Sequence, residues 1–377
     1  MEFELVYSAV PLYNFEGGVD QGFVYIDNID VTATVHLDQL MEWNESLSLF
    51  IYGLGNNGGK ATELMGDFQV AANIEAPQSY RIFEVWLQQN FLNDHFSVLT
   101  GLYDLNSEFD VLTPATVFIN SSFGIGAEYA QTGLNGPSIF PVSSLGVRLS
   151  ASINKYIKLK LAMLDAVPGD PSDPTRNNIK LEDGALIAFE TSLFTRATGM
   201  QLNRGFVTRR KKVGREHEIP TDDKLNIGGW YYTSEFIDLK TGDNSLGNWG
   251  AYIGAQKYWF YSKYDDRYLA FFGRIGWAAD QYNRIGTAIS AGILSAGSAS
   301  GKTDYIGLGF TKAINGSTYM DENTSLEASE TAIELTFSTP IRTWLTIQPD
   351  IQYIINPNSD PKLQNSLAGG VLFQLSF

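Results

Sequence analysis

Apolar and polar residues alternate with a period of two from one end of this chain to the other, a pattern that suits extended strands, whose successive side chains point to opposite faces. From Ile29 to Asp38, Ile29, Val31, Ala33, Val35 and Leu37 share one face, while Asp30, Thr32, Thr34, His36 and Asp38 share the other. Leu145, Val147, Leu149, Ala151 and Ile153 oppose Ser144, Gly146, Arg148, Ser150 and Ser152; Asn154-Lys155 then turns the chain into Ile157, Leu159, Leu161 and Met163, set against Lys158, Lys160 and Ala162. These two runs read as one hairpin. The last stretch repeats the scheme, with Val371, Phe373, Leu375 and Phe377 on one face and Gly370, Gln374 and Ser376 on the other.

Counting such runs gives about 16 strands, an even number within the range of closed outer-membrane barrels. They fall near 3–12, 22–37, 46–55, 80–92, 95–104, 144–153, 156–165, 184–194, 225–236, 248–260, 268–278, 284–293, 303–312, 330–339, 343–354 and 367–377. With 36 glycines, 19 tyrosines, 23 phenylalanines and only 18% charged residues, the composition suits many strands with tight turns and aromatic faces. No apolar run approaches the roughly 20 residues of a membrane helix, so a helical membrane protein is excluded. A soluble β-sandwich also alternates, but the strand number and the connection lengths argue against it.

An even strand number puts both termini on one side. Short turns near Asn93-Asp94, Asn154-Lys155 and Arg342 then face the periplasm, and the longer links near 56–79, 105–143, 165–183, 313–329 and 355–366 face outward. Residues 195–224 break this rule, so either a strand is miscounted or the short-turn side carries an unusual excursion. Residues 1–377 read as one domain, because no linker and no fixed repeat interrupts them. The N-terminus, Met1-Glu2-Phe3-Glu4-Leu5, has no basic segment followed by an apolar core, so an exported protein would be read here in its mature form.

The formal charge of −16 argues against a nucleic-acid partner. Without cysteine there is no disulfide, thiolate metal site or cysteine nucleophile. Ser152-Ile-Asn-Lys155 matches S-x-x-K but spans a strand end and a turn, where the two side chains need not meet. Gly297-Ser-Ala-Ser-Gly301-Lys302-Thr303 is one residue short of a phosphate-binding loop and precedes a strand, so it reads as a flexible turn. His36, His95 and His217 lack metal-ligand spacing, and no cofactor or catalytic set is expected. A membrane-barrel enzyme built from distant residues stays open as the alternative class. The basic run Arg209–Arg215, followed by Glu216, Glu218, Asp222 and Asp223, reads as a solvated loop face.

What remains is the polar face, which lines the lumen of a barrel. Its candidates are Glu84, Trp86, Gln88, Arg148, Lys158, Lys160, Glu190, Arg274, Glu330, Glu334, Gln348, Asp350 and Gln352. Charged and amide groups offer fixed donors and acceptors to hydroxyl-rich solutes, and Trp86 offers a flat face to a sugar ring. The link 105–143 is the candidate for an inward-folded constriction, anchored by Val117-Phe118-Ile119 and Phe123-Gly124-Ile125, with Asp104, Glu108 and Asp110 narrowing the lumen and repelling anions. A surface cap is the rival reading.

Several stretches together resemble the OprB carbohydrate-selective porins: Asn73-Ile-Glu-Ala-Pro77, Arg81-Ile-Phe-Glu84-Val-Trp86-Leu-Gln88-Gln89-Asn-Phe91, Gly101-Leu-Tyr-Asp104-Leu-Asn-Ser-Glu108-Phe109, Phe118-Ile-Asn120-Ser-Ser-Phe123-Gly124, Phe140-Pro141 with Gly146-Val-Arg148, Gly228-Gly-Trp230-Tyr231, and Gln348-Pro349-Asp350-Ile-Gln352-Tyr353. The resemblance implies a 16-stranded outer-membrane barrel, trimeric or monomeric by member, that lets monosaccharides and related polyols diffuse through an eyelet of arginine and acidic side chains. It carries over to Glu84, Trp86, Asp104, Glu108, Arg148 and Asp350, each within a matching stretch. The chain departs from the family pattern at 195–224. Phe377 resembles the terminal residue by which the outer-membrane assembly machinery recognises its clients. A general or cation-preferring pore, suggested by the net charge, is the second functional expectation.

Overall fold

The computed structural model describes residues 1–41, 46–170, 173, 176, 177, 179, 181, 184–196, 222–260, 267–298 and 303–377. Its strands are β1 (Glu2–Gly18), β2 (Gly22–His36), β3 (Leu47–Gly58), β4 (Ser79–Phe91), β5 (Phe96–Tyr103), β6 (Ser144–Asn154), β7 (Ile157–Asp165) and β8 (Ala185–Arg196), followed by β9 (Asp223–Ile237), β10 (Asn244–Trp259), β11 (Tyr268–Ala278), β12 (Ile285–Ser298), β13 (Thr303–Asn315), β14 (Ser329–Arg342), β15 (Leu345–Ile355) and β16 (Gln364–Ser376). Each pairs antiparallel with its chain neighbours, and β16 returns to β1, with Leu375 opposite Tyr7, to close the barrel. Closure leaves no strand edge, so every ladder can satisfy its backbone groups within the wall.

The alternation sorts as the sequence implies. Val147, Leu149, Leu159, Leu161 and Met163 are exposed on the outside, while Ser150, Arg148, Lys160 and Ala162 are buried on the inside. Aromatic rings mark both rims of the outer wall. Tyr13, Phe15, Phe23, Tyr25 and Tyr80 lie toward one end, and Trp259, Phe260, Trp344 and Phe377 toward the other, as in the girdles of membrane barrels. At the closing seam the rings of Trp344 and Phe377 stack at 6.4 Å, and the Phe377 backbone exchanges hydrogen bonds with Leu5.

All sixteen expected strands are present, although several run longer at the far end, above all β1, which continues to Gly18. The consecutive pairing of β8 with β9, Arg196 opposite Asp223, removes the miscount explanation for 195–224. That link leaves from the end that carries the termini; the run Arg209–Arg215 and His217 lie outside the described residues. Ser152 is buried on the inner wall while Lys155 lies over the Tyr156 ring at 4.9 Å, so the S-x-x-K pair does not meet. Gly297 ends β12 and Thr303 opens β13, so the glycine-rich run joins two strands; 299–302 lie outside the described residues.

Candidate functional site

Two loops fold into the barrel, where the sequence reading expected one. The β5–β6 loop (104–143) packs along the inner wall through the anchors read from its sequence: Val117, Phe118, Ile119, Phe123 and Ile125 are all buried. Phe118 stacks on Phe123 at 4.4 Å, and both pack against Phe272 of β11. The wall makes room for them with missing side chains. A Cβ on Gly309 would come within 2.9 Å of the Phe123 ring, and one on Gly307 within 2.8 Å of the Phe118 ring. The β3–β4 loop (59–78), expected to face outward, also turns in. Its Ala61, Met65, Ala71 and Ala72 pack on Val10, Leu12, Val24 and Ile26 from the inner faces of β1 and β2. The two loops are tied to each other, as Asn73 N donates to Ile119 O at 2.8 Å and Ser121 N to Val70 O at 2.9 Å.

The inward carboxylates serve mainly to hold these loops. Glu334 accepts from the backbone N–H groups of Ile119 (2.6 Å) and Asn120 (2.9 Å), and Glu330 from those of Phe68 (3.1 Å) and Gln69 (3.0 Å). Glu190 accepts from Asp110 N and from the Tyr252 hydroxyl, both at 2.7 Å, and pairs with Lys160 at 2.6 Å. Buried backbone donors need such partners, and an ionised acceptor supplies the strongest kind.

Cations complete the arrangement. Arg274 of β11 reaches both Asp110 (2.7 Å) and Glu128 (2.5 Å) on the β5–β6 loop, with its guanidinium 5.4 Å from the centre of the Tyr252 ring. Arg148 meets Glu108 at 2.7 Å, donates to Gln88 Oε1 at 2.9 Å and touches the Ser97 hydroxyl. Glu108 also accepts from the Tyr103 hydroxyl at 2.9 Å. The anion-repelling rim expected of Glu108 and Asp110 is therefore neutralised, because each lies against an arginine. Asp104 accepts from Asn106 N at 3.1 Å and so caps a short turn.

Glu84 accepts from the indole N–H of Trp86 at 3.0 Å, and Trp86 is buried with its ring 4.8 Å from that of Phe50, so its face is covered by protein. Asp350 accepts from Gln352 Nε2 at 2.9 Å. The expected residues thus form four groups rather than one ring: Glu84 with Trp86 and Asp104; Gln88, Arg148 and Glu108; Asp110 with Arg274; and Glu334, Asp350 and Gln352. Glu334, Asp350 and Gln352 lie on the facing strands β14 and β15. Sequence reasoning passed over Glu128, Tyr252 and Arg81. Arg81 shares the inner face of β4, with Nε and Nη1 lacking a hydrogen-bond partner among the described residues. Part-exposed polar side chains persist at Asp30 and Thr32 on inward positions, and at Asn73, Asn106, Thr116 and Ser121 on the loops. Among the described residues no group of three metal-ligating side chains forms.

Asp67 on the β3–β4 loop is buried. Loss of solvation, and then the charges of Glu330 and Glu75, hold its carboxyl well above the ordinary carboxylate range. A raised folded-state value means that the seated loop is most favoured below the ordinary value near about 4, and that this contribution is lost as pH rises through the raised value. Current flicker in a planar bilayer should therefore grow as pH rises through that raised value, and Asp67→Asn should abolish the trend. A pH trend unchanged in the variant would exclude Asp67 as its source.

Comparison with known proteins agrees with this architecture. The family model described as "Carbohydrate-selective porin, OprB family" matches residues 20–377. Porin B of Pseudomonas aeruginosa is 21% identical over 427 residues, an alignment covering 100% of this chain and 87% of that protein. The high-pH structure of Pseudomonas putida OprB superposes with a TM-score of 0.82 at 17% identity, covering 100% of this chain and 94% of that one. A variant of the Rh. blastica porin gives a TM-score of 0.53 at 12% identity, covering 100% of this chain and 99% of that one. The two solved structures share the barrel fold. With the family model spanning nearly the whole length, the chain belongs to the OprB family of carbohydrate-selective porins, β-barrel proteins of the Gram-negative outer membrane.

Proposed function

We propose that this sugar porin passes monosaccharides and related small polyols by passive diffusion, as a single barrel domain without catalysis. The observation that carries the reading is the pair of loops fastened inside the barrel. A 16-stranded barrel otherwise leaves an aqueous channel, and two inward loops reduce it to a passage suited to small solutes. The described lysine–glutamate and arginine–carboxylate pairs offset much of the lumenal charge, and the accessible amides and hydroxyls of Asn73, Asn106, Thr116 and Ser121 suit weak, exchangeable hydrogen bonds to a polyol. We assign the frame of the constriction to Glu84, Trp86, Gln88, Asp104, Glu108, Asp110, Arg148, Arg274, Glu334, Asp350 and Gln352, and recognition by the assembly machinery to Phe377.

Liposomes containing the protein should swell quickly in glucose, more slowly in larger saccharides, and more slowly in amino acids than in sugars of equal size. Equal rates for solutes of equal size would remove the selectivity, and absence of swelling would remove the pore. A cation-preferring pore is the second reading, favoured by the net charge of −16 and by the part-exposed Asp30. A strongly cationic reversal potential without sugar block of the current would select it.

A further inference from the structure

Strands β14 and β15 carry a comb of four inward side chains that grip both inward loops; Gln352 touches both, since its Oε1 accepts from Asn120 Nδ2 at 3.1 Å, and Glu330 also accepts from Asn358 N at 2.6 Å. Glu330 accepts from the backbone of Phe68 and Gln69 in the β3–β4 loop, and Gln352 Nε2 donates to Ala71 O of that same loop at 2.8 Å. Glu334 accepts from Ile119 and Asn120 in the β5–β6 loop, while Gln348 Nε2 donates to Val117 O at 2.7 Å. Glu334 and Gln352 are cross-strand partners, so the two grips interleave on one patch of wall. All four side chains are almost wholly buried.

We propose that Glu330, Glu334, Gln348 and Gln352 are positioning residues that set the size limit of the pore, a proposal that rests on the passive-pore reading above. The geometry makes the comb a ruler. Glu330 and Glu334 stand four residues apart on a rigid strand, roughly 13 Å by the rise of an extended chain. They therefore set where the two loop tips lie relative to the wall and to each other. A carboxylate can accept from two neighbouring N–H groups at once, whereas an amide presents one acceptor and one donor and would oppose the second N–H. The paired carboxyl oxygens at these positions thus serve to seat a loop backbone and need not touch solute.

The test uses Glu334→Gln and Glu330→Gln, with Glu334→Ala as the larger lesion. Conductance is read in potassium chloride, swelling in glucose, sucrose and raffinose, and folding by the heat-dependent shift of the barrel on a gel. Folded Glu334→Gln should conduct roughly two-fold more or higher and admit the larger saccharides, because the released loop leaves part of the lumen open. Gln348→Leu, which removes the carboxamide that donates to Val117 O and to the Thr336 hydroxyl, should move both readouts in the same direction by less. Should Glu334→Ala fail to fold, the near-isosteric Glu334→Gln decides the matter. Folded Glu334→Gln with parental conductance and parental size limit overturns the proposal, even if its thermal stability falls, since that outcome is purely structural. A parent that admits no sugar, combined with a variant of raised salt conductance, would remove the sugar reading and leave the ruler standing.

Discussion

Arg274→Met is expected to cost about 3–5 kcal/mol of barrel stability, the range for removing one partner of a buried ion pair, and to free the β5–β6 loop from the wall. Arg274 is almost wholly buried and lies between Asp110 and Glu128, at 2.7 and 2.5 Å. Methionine fills much of the volume but leaves two carboxylates facing each other without a cation. Nor can the wall supply one by a small shift: a Cβ on Gly276 would fall 1.9 Å from Glu128 Oε1, so the carboxylate already occupies the space above that strand. The urea midpoint of the folded barrel in detergent should drop, and the single-channel current of surviving protein should rise and become noisy. Adding Asp110→Asn and Glu128→Gln to Arg274→Met should recover most of the loss, because the cost lies in unpaired charge rather than in the missing guanidinium. A variant as stable and as quiet as the parent would show that this triad does not hold the loop.

The fold was legible because the barrel imposes one rule on every strand, and polar-in, apolar-out alternation marks that rule wherever water or polar loop backbone meets the inner face. Errors cluster where the inner face is itself apolar. In β1 the inward Val10 and Leu12 blur the alternation, and the expected strand stopped at residue 12, although the ladder continues to Gly18. Those same residues, with Val24 and Ile26 of β2, carried the missing signal for the second inward loop. An apolar patch on a lumenal face must be covered, and here Met65, Ala71 and Ala72 cover it. Glycines at inward positions, such as Gly307 and Gly309, were the complementary signal, marking where another chain segment lies close against the wall.

The candidate site was legible as residue types and not as partners. Arg274, Glu334 and Gln352 were named from strand parity, and Arg148 from strand parity and from the family resemblance. Which loop N–H or carboxylate each would meet depends on how 104–143 folds, and no periodicity runs through that segment: it contains three short 3-10 turns and one helical turn. Glu128 illustrates the gap, since nothing in Gly126-Ala-Glu128-Tyr129 distinguishes a surface carboxylate from one that closes on an arginine 146 residues away. Trp86 is the converse case. Its inward parity suggested an exposed ring, but the apolar Phe50 opposite it on β3 already foretold a ring-on-ring contact.

Leu161→Arg is expected to cost about 2–4 kcal/mol, because position 161 is the central residue of β7 and a cation on the lipid face is most costly at mid-depth. Leu161 faces outward, is 45% exposed, and has Leu149 and Phe189 as its cross-strand neighbours, so the outer surface around it offers no carboxylate to an arginine. The same substitution at Ile157, the first residue of the strand, should cost only about 0–1 kcal/mol, since there the guanidinium can reach the headgroup layer. Urea titrations of the two variants in lipid vesicles measure the difference. A soluble wall would show the reverse independence, with both positions tolerating a surface cation equally in plain buffer. Depth dependence is thus the signature that separates lipid from water outside the barrel, and equal costs at 157 and 161 would contradict the orientation of every strand at once.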